Sequence, residues 1–277
     1  MIWRYRLSTT ARVLGVLIVL GVAVFPLYWM LVTSLTSTTN LFASQVQFWP
    51  DFSRAGIYAE TLANSRVSLW LLNSLLLSIG TCGATLLLGV PLGYALSRFA
   101  FRGKAAIGAL LLLTQALPEA LLVVPLFGIL HTANLLDSLF GVVMVDTAFV
   151  LPVVALVLKG AFDGIPRELD EAARVDGCRP LTTLLRINLP LAAPSIAAAA
   201  VIAFFSAWNE YVFAVTFLFD PTKQPAAVGL AGFVGENVTP LDTVMTVGIM
   251  YTAPAVIFYL FVQRYVVAGM TAGGLKG

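Results

Sequence analysis

Apolar residues in this chain neither alternate in the short rhythm of strands nor form the narrow stripe of a surface helix. They come in blocks. Residues 13–34, 69–96, 105–130, 138–158, 194–219 and 241–266 are six such blocks. A helix needs roughly 20 residues to cross about 30 Å of hydrocarbon, and each block is of that size. The pattern predicts an all-α membrane protein with six transmembrane helices in one domain over residues 1–277. The first block follows arginines, as a leader peptide would. It exceeds the ~7–15 apolar residues of a leader and is read as a helix. Pro91, Pro118, Pro125 and Pro152 fall inside blocks. Each frees a carbonyl and predicts a kink.

Two intervening segments differ in character. Residues 35–68 are polar and contain Phe48-Trp49-Pro50, an aromatic anchor for a membrane boundary. Residues 159–191 are dense in charge of both signs. Pro166 suits the first turn of a helix, and Leu169, Ala172 and Ala173 share one face of it. Asp176-Gly177 predicts its end. Pro180 opens a second short helix, with Leu181, Leu184 and Leu185 on one face, and Pro190 is expected to stop it.

Charge fixes orientation. Arg4, Arg6, Arg12, Arg98, Arg102, Lys104, Lys159, Arg167, Arg174, Arg179, Arg186, Arg264 and Lys276 all fall on one side of six spans. Arg54, Arg66 and Lys223 fall on the other. Basic loops stay in the cytoplasm, so both termini are expected there. Only 11% of residues are charged and 59% are hydrophobic. A soluble domain carries about 25% charged residues, so a soluble enzyme is excluded. The net charge of +2 gives no basic excess for a nucleic-acid partner. One histidine, His131, and two separated cysteines, Cys82 and Cys178, give no metal-ligand spacing. No G-x-x-x-x-G-K-[ST] loop is present. No cofactor is therefore expected in this chain. Cys82, His131 and Phe204-Phe205 read as structural residues.

The charged segment resembles a known family. Glu171-Ala172-Ala173, then Gly177, Ile187 and Pro190, match the signature loop of bacterial ATP-binding-cassette importer permeases. Ile165-Pro166 and Ala173-Arg174-Val175-Asp176-Gly177 look like its carbohydrate branch. Trp208-Asn209-Glu210-Tyr211 is similar to a segment of the sugar importers. Gln263-Arg264-Tyr265 and the chain from Gly269 look like the tail of maltose-type second permeases. Ile57-Tyr58 departs from the usual Asn-Tyr of the outer loop.

The resemblance implies a multi-pass protein of the cytoplasmic (inner) membrane, forming half of a pathway for a sugar or oligosaccharide. It implies that the loop at about 159–191 holds a coupling helix, in which Glu171, Ala172, Ala173, Asp176 and Gly177 meet an ATPase. Gly269, Gly273, Lys276 and Gly277 would touch the same ATPase pair. ATP and magnesium would sit in those two subunits, and transport would be this chain's role rather than catalysis. A second permease, an extracytoplasmic binding protein and the lipid bilayer complete the implied partners.

Glu119, Asp146 and Glu210 fall within predicted spans. Each costs about 2.5–3.5 kcal/mol at a helix centre facing lipid, so each must face a cavity or a partner. Two readings stay open: a polar pathway for sugar hydroxyls, or hydrogen-bonded glue between helices. Trp208, Asn209 and Tyr211 join Glu210 as candidates for a sugar-binding sector on one helix. Acids without interior lysine or arginine favour a neutral sugar over a phosphorylated polyol. Of the rivals, an ion-gradient transporter lacks the internal repeats common in that class. An intramembrane enzyme lacks a paired catalytic constellation.

Overall fold

A computed structural model describes residues 9–41, 46–235 and 240–273. Among these residues every regular element is helical. The chain divides into two compact units. One comprises Met1–Val67 with Leu230–Ala253, and the other Ser68–Gly229 with Pro254–Gly277.

In the first unit, α1 (Thr9–Ser34) is apolar around its whole circumference and exposed from Ala11 to Leu27. Burial begins only near its end, at Val32, Thr33 and Ser34. The Ser34 hydroxyl lies 2.7 Å from that of Tyr58. A short α2 (Thr38–Leu41) follows, then a 3-10 turn at Phe52–Arg54 and α3 (Gly56–Asn64). Asp51 caps the 3-10 turn by accepting from the Ser53 hydroxyl at 2.7 Å and the Ser53 N–H at 3.1 Å. Those bonds hold its carboxyl below the usual range. Arg54 pairs with Asp242 at 3.1 Å, and the Thr38 hydroxyl donates to the same carboxylate. Near the aromatic segment, the Tyr28 hydroxyl donates to the Phe48 carbonyl, and Phe48 and Trp49 are exposed.

The second unit is built on α7 (Leu139–Asp163). Around it lie α4 (Val67–Arg98), α5 (Lys104–Thr114), α6 (Glu119–Thr132) and α11 (Ala193–Trp208). Ala199, Ala203 and Ala207 are all buried, at a four-residue spacing on α11. They make a small-residue face that lets α11 lie close against α7. On α4, a Cβ at Gly93 would meet the Ala155 carbonyl, the Leu158 Cβ and the Lys159 nitrogen at 3.0 Å. Glycine there is a packing requirement of the α4–α7 contact. Leu77, Val142, Phe213 and Phe217 form one buried cluster, and Val154, Leu158, Phe162 and Leu184 another.

Four helices, α1, α4, α7 and α14 (Leu241–Gly273), are long and apolar enough to cross a membrane. The number rises to six only if two bent pairs each count as one span. The predicted third span is such a pair: α5 and α6 meet at 105°. Pro118 is the cause, because its extended backbone and missing N–H interrupt the helix just before Glu119. The predicted fifth span is also interrupted, between α11 and α12 (Val212–Phe217). The remaining short helix is α13 (Ala226–Gly235).

Candidate functional site

The charged segment folds as two short helical arms around a tight turn. Pro166 begins the first turn, and its carbonyl accepts from the Leu169 N–H at 3.4 Å. Helix α8 (Glu168–Val175) follows. At its end the Gly177 N–H donates to the Arg174 carbonyl at 3.0 Å, and the Cys178 N–H to the Ala173 carbonyl at 2.8 Å. This two-bond closure needs a left-handed residue, and Gly177 has φ +79°. A Cβ at Gly177 would meet nothing within 4 Å. Backbone conformation alone, with no crowding, calls for glycine there.

The face predicted to pack inward is not the one that does. Ala173 is buried as expected, but Leu169 and Ala172 are exposed, and Asp170 turns inward instead. Electrostatics decides the rotation. Asp170 Oδ2 lies 2.7 Å from Arg98 Nε at the end of α4, and both side chains are less than a tenth exposed. Turning the helix to bury Leu169 would strand both charges in a low-dielectric site. Outside remain Glu171, Asp176, Leu169, Ala172 and Val175, the last 89% exposed.

The second arm also differs from expectation. Helix α9 (Pro180–Thr183) begins at Pro180, but Pro190 does not stop the chain. A π-helical turn, Leu184–Asn188, leads into α10 (Leu189–Leu191), which contains Pro190. The helical path then bends by 83° into α11. Proline sits in the first turn of α10, where its missing N–H is tolerated. Leu184 is buried, whereas Leu181 and Leu185 face out.

Arg98 gathers the whole loop. Its Nη2 donates to the Ile165 carbonyl at 3.0 Å and to Asn188 Oδ1 at 3.2 Å. Asn188, fully buried, donates from Nδ2 to Asp170 Oδ1 at 2.7 Å. Nearby, the Ser97 hydroxyl donates to Asp163 at 2.6 Å, and Lys159 pairs with the same carboxylate. A cavity of 430 Å³ opens beside this network, lined in part by Tyr94, Arg167, Glu171 and Arg174. Sequence reasoning passed over Arg98, Asp170 and Asn188. The available signal was an aspartate one step, about 100°, round α8 from Leu169.

The three membrane acids come together from separate elements. Asp146 is buried on α7, and its Oδ2 has no hydrogen-bond partner among the described residues. Glu119 opens α6 and is exposed. Glu210 lies in the break between α11 and α12 and is half-buried. The three carboxyls are near enough to act electrostatically on one another. Glu210 has a structural task as well: its Oε1 accepts from the N–H groups of Phe213 and Ala214 at 2.5 and 3.3 Å, capping α12. The expected sugar-binding sector on one helix is therefore broken up. Trp208 is buried and stacks on Phe204, so its aromatic face belongs to the core. Asn209 and Tyr211 are exposed, and Asn209 donates to the Phe205 carbonyl at 2.8 Å.

At the far end of α7 from the charged loop, Lys223 Nζ reaches Asp137 Oδ2 at 2.6 Å and the Asp137 carbonyl at 3.0 Å. Asp137 Oδ1 accepts from the Phe219 and Asp220 N–H groups, each at 3.0 Å. The hydrogen bond to Lys223, followed by those backbone donors, holds the Asp137 carboxyl below its usual range. The same bond raises the Lys223 ammonium.

Of the predicted ATPase-contacting tail, Gly269 and Gly273 are inside α14, so the path is helical to Gly273 rather than extended. Lys276 and Gly277 lie outside the described residues. His131 is exposed in the last turn of α6, and Cys82 and Cys178 are free thiols.

Residues 86–272 match the family described as "Binding-protein-dependent transport system inner membrane component". The sulfoquinovosyl glycerol transport system permease SmoH of Agrobacterium fabrum is 32% identical, over 96% of this chain and 93% of that protein. The trehalose transport system permease SugB of Mycobacterium tuberculosis is 34% identical, over 98% of this chain and 99% of its own length. Among solved structures, a chain from a bacterial ABC transporter involved in import of the acidic polysaccharide alginate superposes with a TM-score of 0.77. It is 26% identical, covering 94% of this chain and 98% of that one.

Proposed function

The chain belongs to the family of binding-protein-dependent transport system inner membrane components, and on that footing we propose that it works as one half of a carbohydrate importer driven by a separate ATPase. It is a transport permease subunit of an ATP-binding-cassette importer, set in the membrane by multiple helices. The proposal concerns how it is coupled, what it carries and which way it faces.

The coupling arm is α8 with the Gly177 turn. One observation carries this assignment: α8 turns Leu169, Ala172 and Val175 outward while Asp170 and Ala173 anchor it from behind. An exposed apolar ridge flanked by Glu171 and Asp176, on a rigid support, suits a docking knob for a protein partner. That partner is one of two ATPase subunits, which hold ATP and magnesium. The tail beyond α14 approaches the same pair. A second permease completes the pathway, and an extracytoplasmic binding protein delivers the solute. Both termini and the charged loop face the cytoplasm, as the basic residues favour.

The cargo is a sugar or oligosaccharide. The named cargoes of the similar proteins support this class and include both neutral and acidic carbohydrates. The grouping of Glu119, Asp146 and Glu210 favours a neutral one, because an anion gains nothing from three carboxyls along its route. Glu119 and Glu210, which are at least partly exposed, are the first pathway candidates, and Asp146 is buried. The test is co-expression with the neighbouring permease, ATPase and binding protein, followed by ligand-stimulated ATPase and uptake in proteoliposomes. Stimulation by trehalose-like sugars and not by acidic ones is the expected result. Failure to assemble with an ATPase would overturn the coupling assignment, and stimulation by acidic sugars alone would overturn the cargo.

A further inference from the structure

We infer that Arg98 is the positioning residue that binds the coupling arm to the membrane helices, so that α4, α8 and the π-helical turn at Leu184–Asn188 move as one body. The inference rests on the reading of α8 as the docking arm. It names what carries displacement from that arm into the membrane.

The geometry is specific. Arg98 closes α4, and three of its contacts bracket α8 in sequence. The Ile165 carbonyl lies before α8, Asp170 within it, and Asn188 after it. Asn188 closes the triangle by donating to the free oxygen of Asp170. Each side chain therefore holds the other two, and all three are less than a tenth exposed. Alternatives are few in such a site. A lysine offers its three donors from a single nitrogen where the guanidinium spreads fixed donors over Nε and Nη2, so it does not reach Asp170, Ile165 and Asn188 from both of those positions. Water that would lubricate sliding is largely excluded from the Arg98–Asp170 contact. The other ties of α8 are the buried Ala173, an Arg167 donation to the Ser97 carbonyl at 3.4 Å, and the turns at Ile165-Pro166 and Gly177. Without the brace, a push on the exposed ridge of α8 is absorbed in those turns.

This predicts a particular kind of failure. In a complex with its partner permease, ATPases and binding protein, Arg98→Lys keeps the charge and loses the fork. The expected outcome is normal assembly and ATPase activity that no longer follows ligand, with uptake lowered about tenfold, an ordinary magnitude for coupling between sites. The triple variant Arg98→Met, Asp170→Leu and Asn188→Leu guards against misfolding, since apolar groups can replace a buried ion pair without loss of stability and no Asn188 amide is left unpaired. It should assemble and be equally uncoupled. Spin labels at Arg102 and Glu168, both exposed, report the brace directly. In the otherwise native complex their distance should stay narrow and unchanged between nucleotide-free and ATP-bound states, and should broaden in both variants.

Wild-type uptake with ligand-stimulated ATPase in either assembled variant would overturn the inference. So would a label distance that shifts by several ångströms on ATP binding in the native complex. Those outcomes leave the docking assignment standing. A chain that never binds an ATPase removes the docking assignment itself, and the two failures are told apart by co-purification.

Discussion

Replacing Gly177 tests whether the coupling turn is held by backbone conformation or by space. Its φ of +79° lies in the left-handed region, and a Cβ there would meet nothing in this chain. Strain is then the whole cost. An alanine in that region costs about 1–2 kcal/mol. A β-branched valine belongs at the upper end of the roughly 1–3 kcal/mol range for strained residues. Against this stand the two hydrogen bonds that close the turn, each contributing about 1 kcal/mol net. The balance separates the two substitutions. Alanine stays at or below the roughly 2 kcal/mol the closure supplies, so the turn holds with modest loss. Valine exceeds it, and the turn opens. Asparagine visits the left-handed region readily and should resemble glycine. For valine the deficit of about 1 kcal/mol leaves roughly one molecule in six with the docking-competent turn. Ligand-stimulated ATPase and uptake in the reconstituted complex, normalised to membrane-inserted protein, should rank glycine, asparagine, alanine, valine. Valine equal to glycine would refute the reasoning. Asparagine as damaging as valine would do so too, because it would point to crowding by the ATPase surface instead of strain.

Glu210→Gln keeps an oxygen to cap α12 and removes the charge, so transport kinetics or selectivity should change at normal protein level; Glu210→Ala loses the cap and should also cost about 1 kcal/mol of stability, read by thermal unfolding in detergent. Single-cysteine variants at Ser53 and Asp220 should react with an impermeant reagent from outside, and those at Lys104 and Arg174 only from the cytoplasm; external labelling at Lys104 would reverse the orientation. The clamp at Asp137 and Lys223 should be pH-dependent at both extremes. Asp137 is depressed, so its contribution is present above the ordinary carboxylate pKa of about 3.9 and is lost as pH falls through its lower folded value. Lys223 is raised, so its contribution is present below about pH 10.4 and is lost as pH rises through its higher folded value. The protection factor of the Asp137 amide, whose N–H bonds the Phe217 carbonyl, should be highest between those limits and low throughout in Lys223→Met.

The all-helical class and the two helical arms of the charged loop were legible because both rest on local signals. Block length gives the spans, and a proline, a run of small residues and a glycine give the first arm and its turn. What stayed hidden depends on partners distant in sequence. Helix α8 rotates away from its own apolar pattern because Arg98 is 72 positions before Asp170. The continuous runs at 105–130 and 194–219 conceal breaks. At Pro118 the signal was present and was read as a kink. At Asn209–Tyr211 no proline marks the interruption, which rests on Glu210 capping a new helix. Trp208 looked like a sugar platform from composition, and only packing against Phe204 assigns it to the core.

The π-helical turn at Leu184–Asn188 acts as a phase shifter. It accommodates one residue more than an α-helical turn over the same stretch, so the chain after it keeps its phase, and Asn188 at its end reaches Asp170. Rewinding the same five residues as α-helix would advance everything after them by about 100°. Asn188 would swing off its carboxylate, and the alanine face of α11 would leave α7 unless the 83° elbow took up the difference. The segment should therefore tolerate the loss of one residue, which α-helical winding absorbs in phase, far better than the gain of one, an asymmetry that an exposed loop does not show.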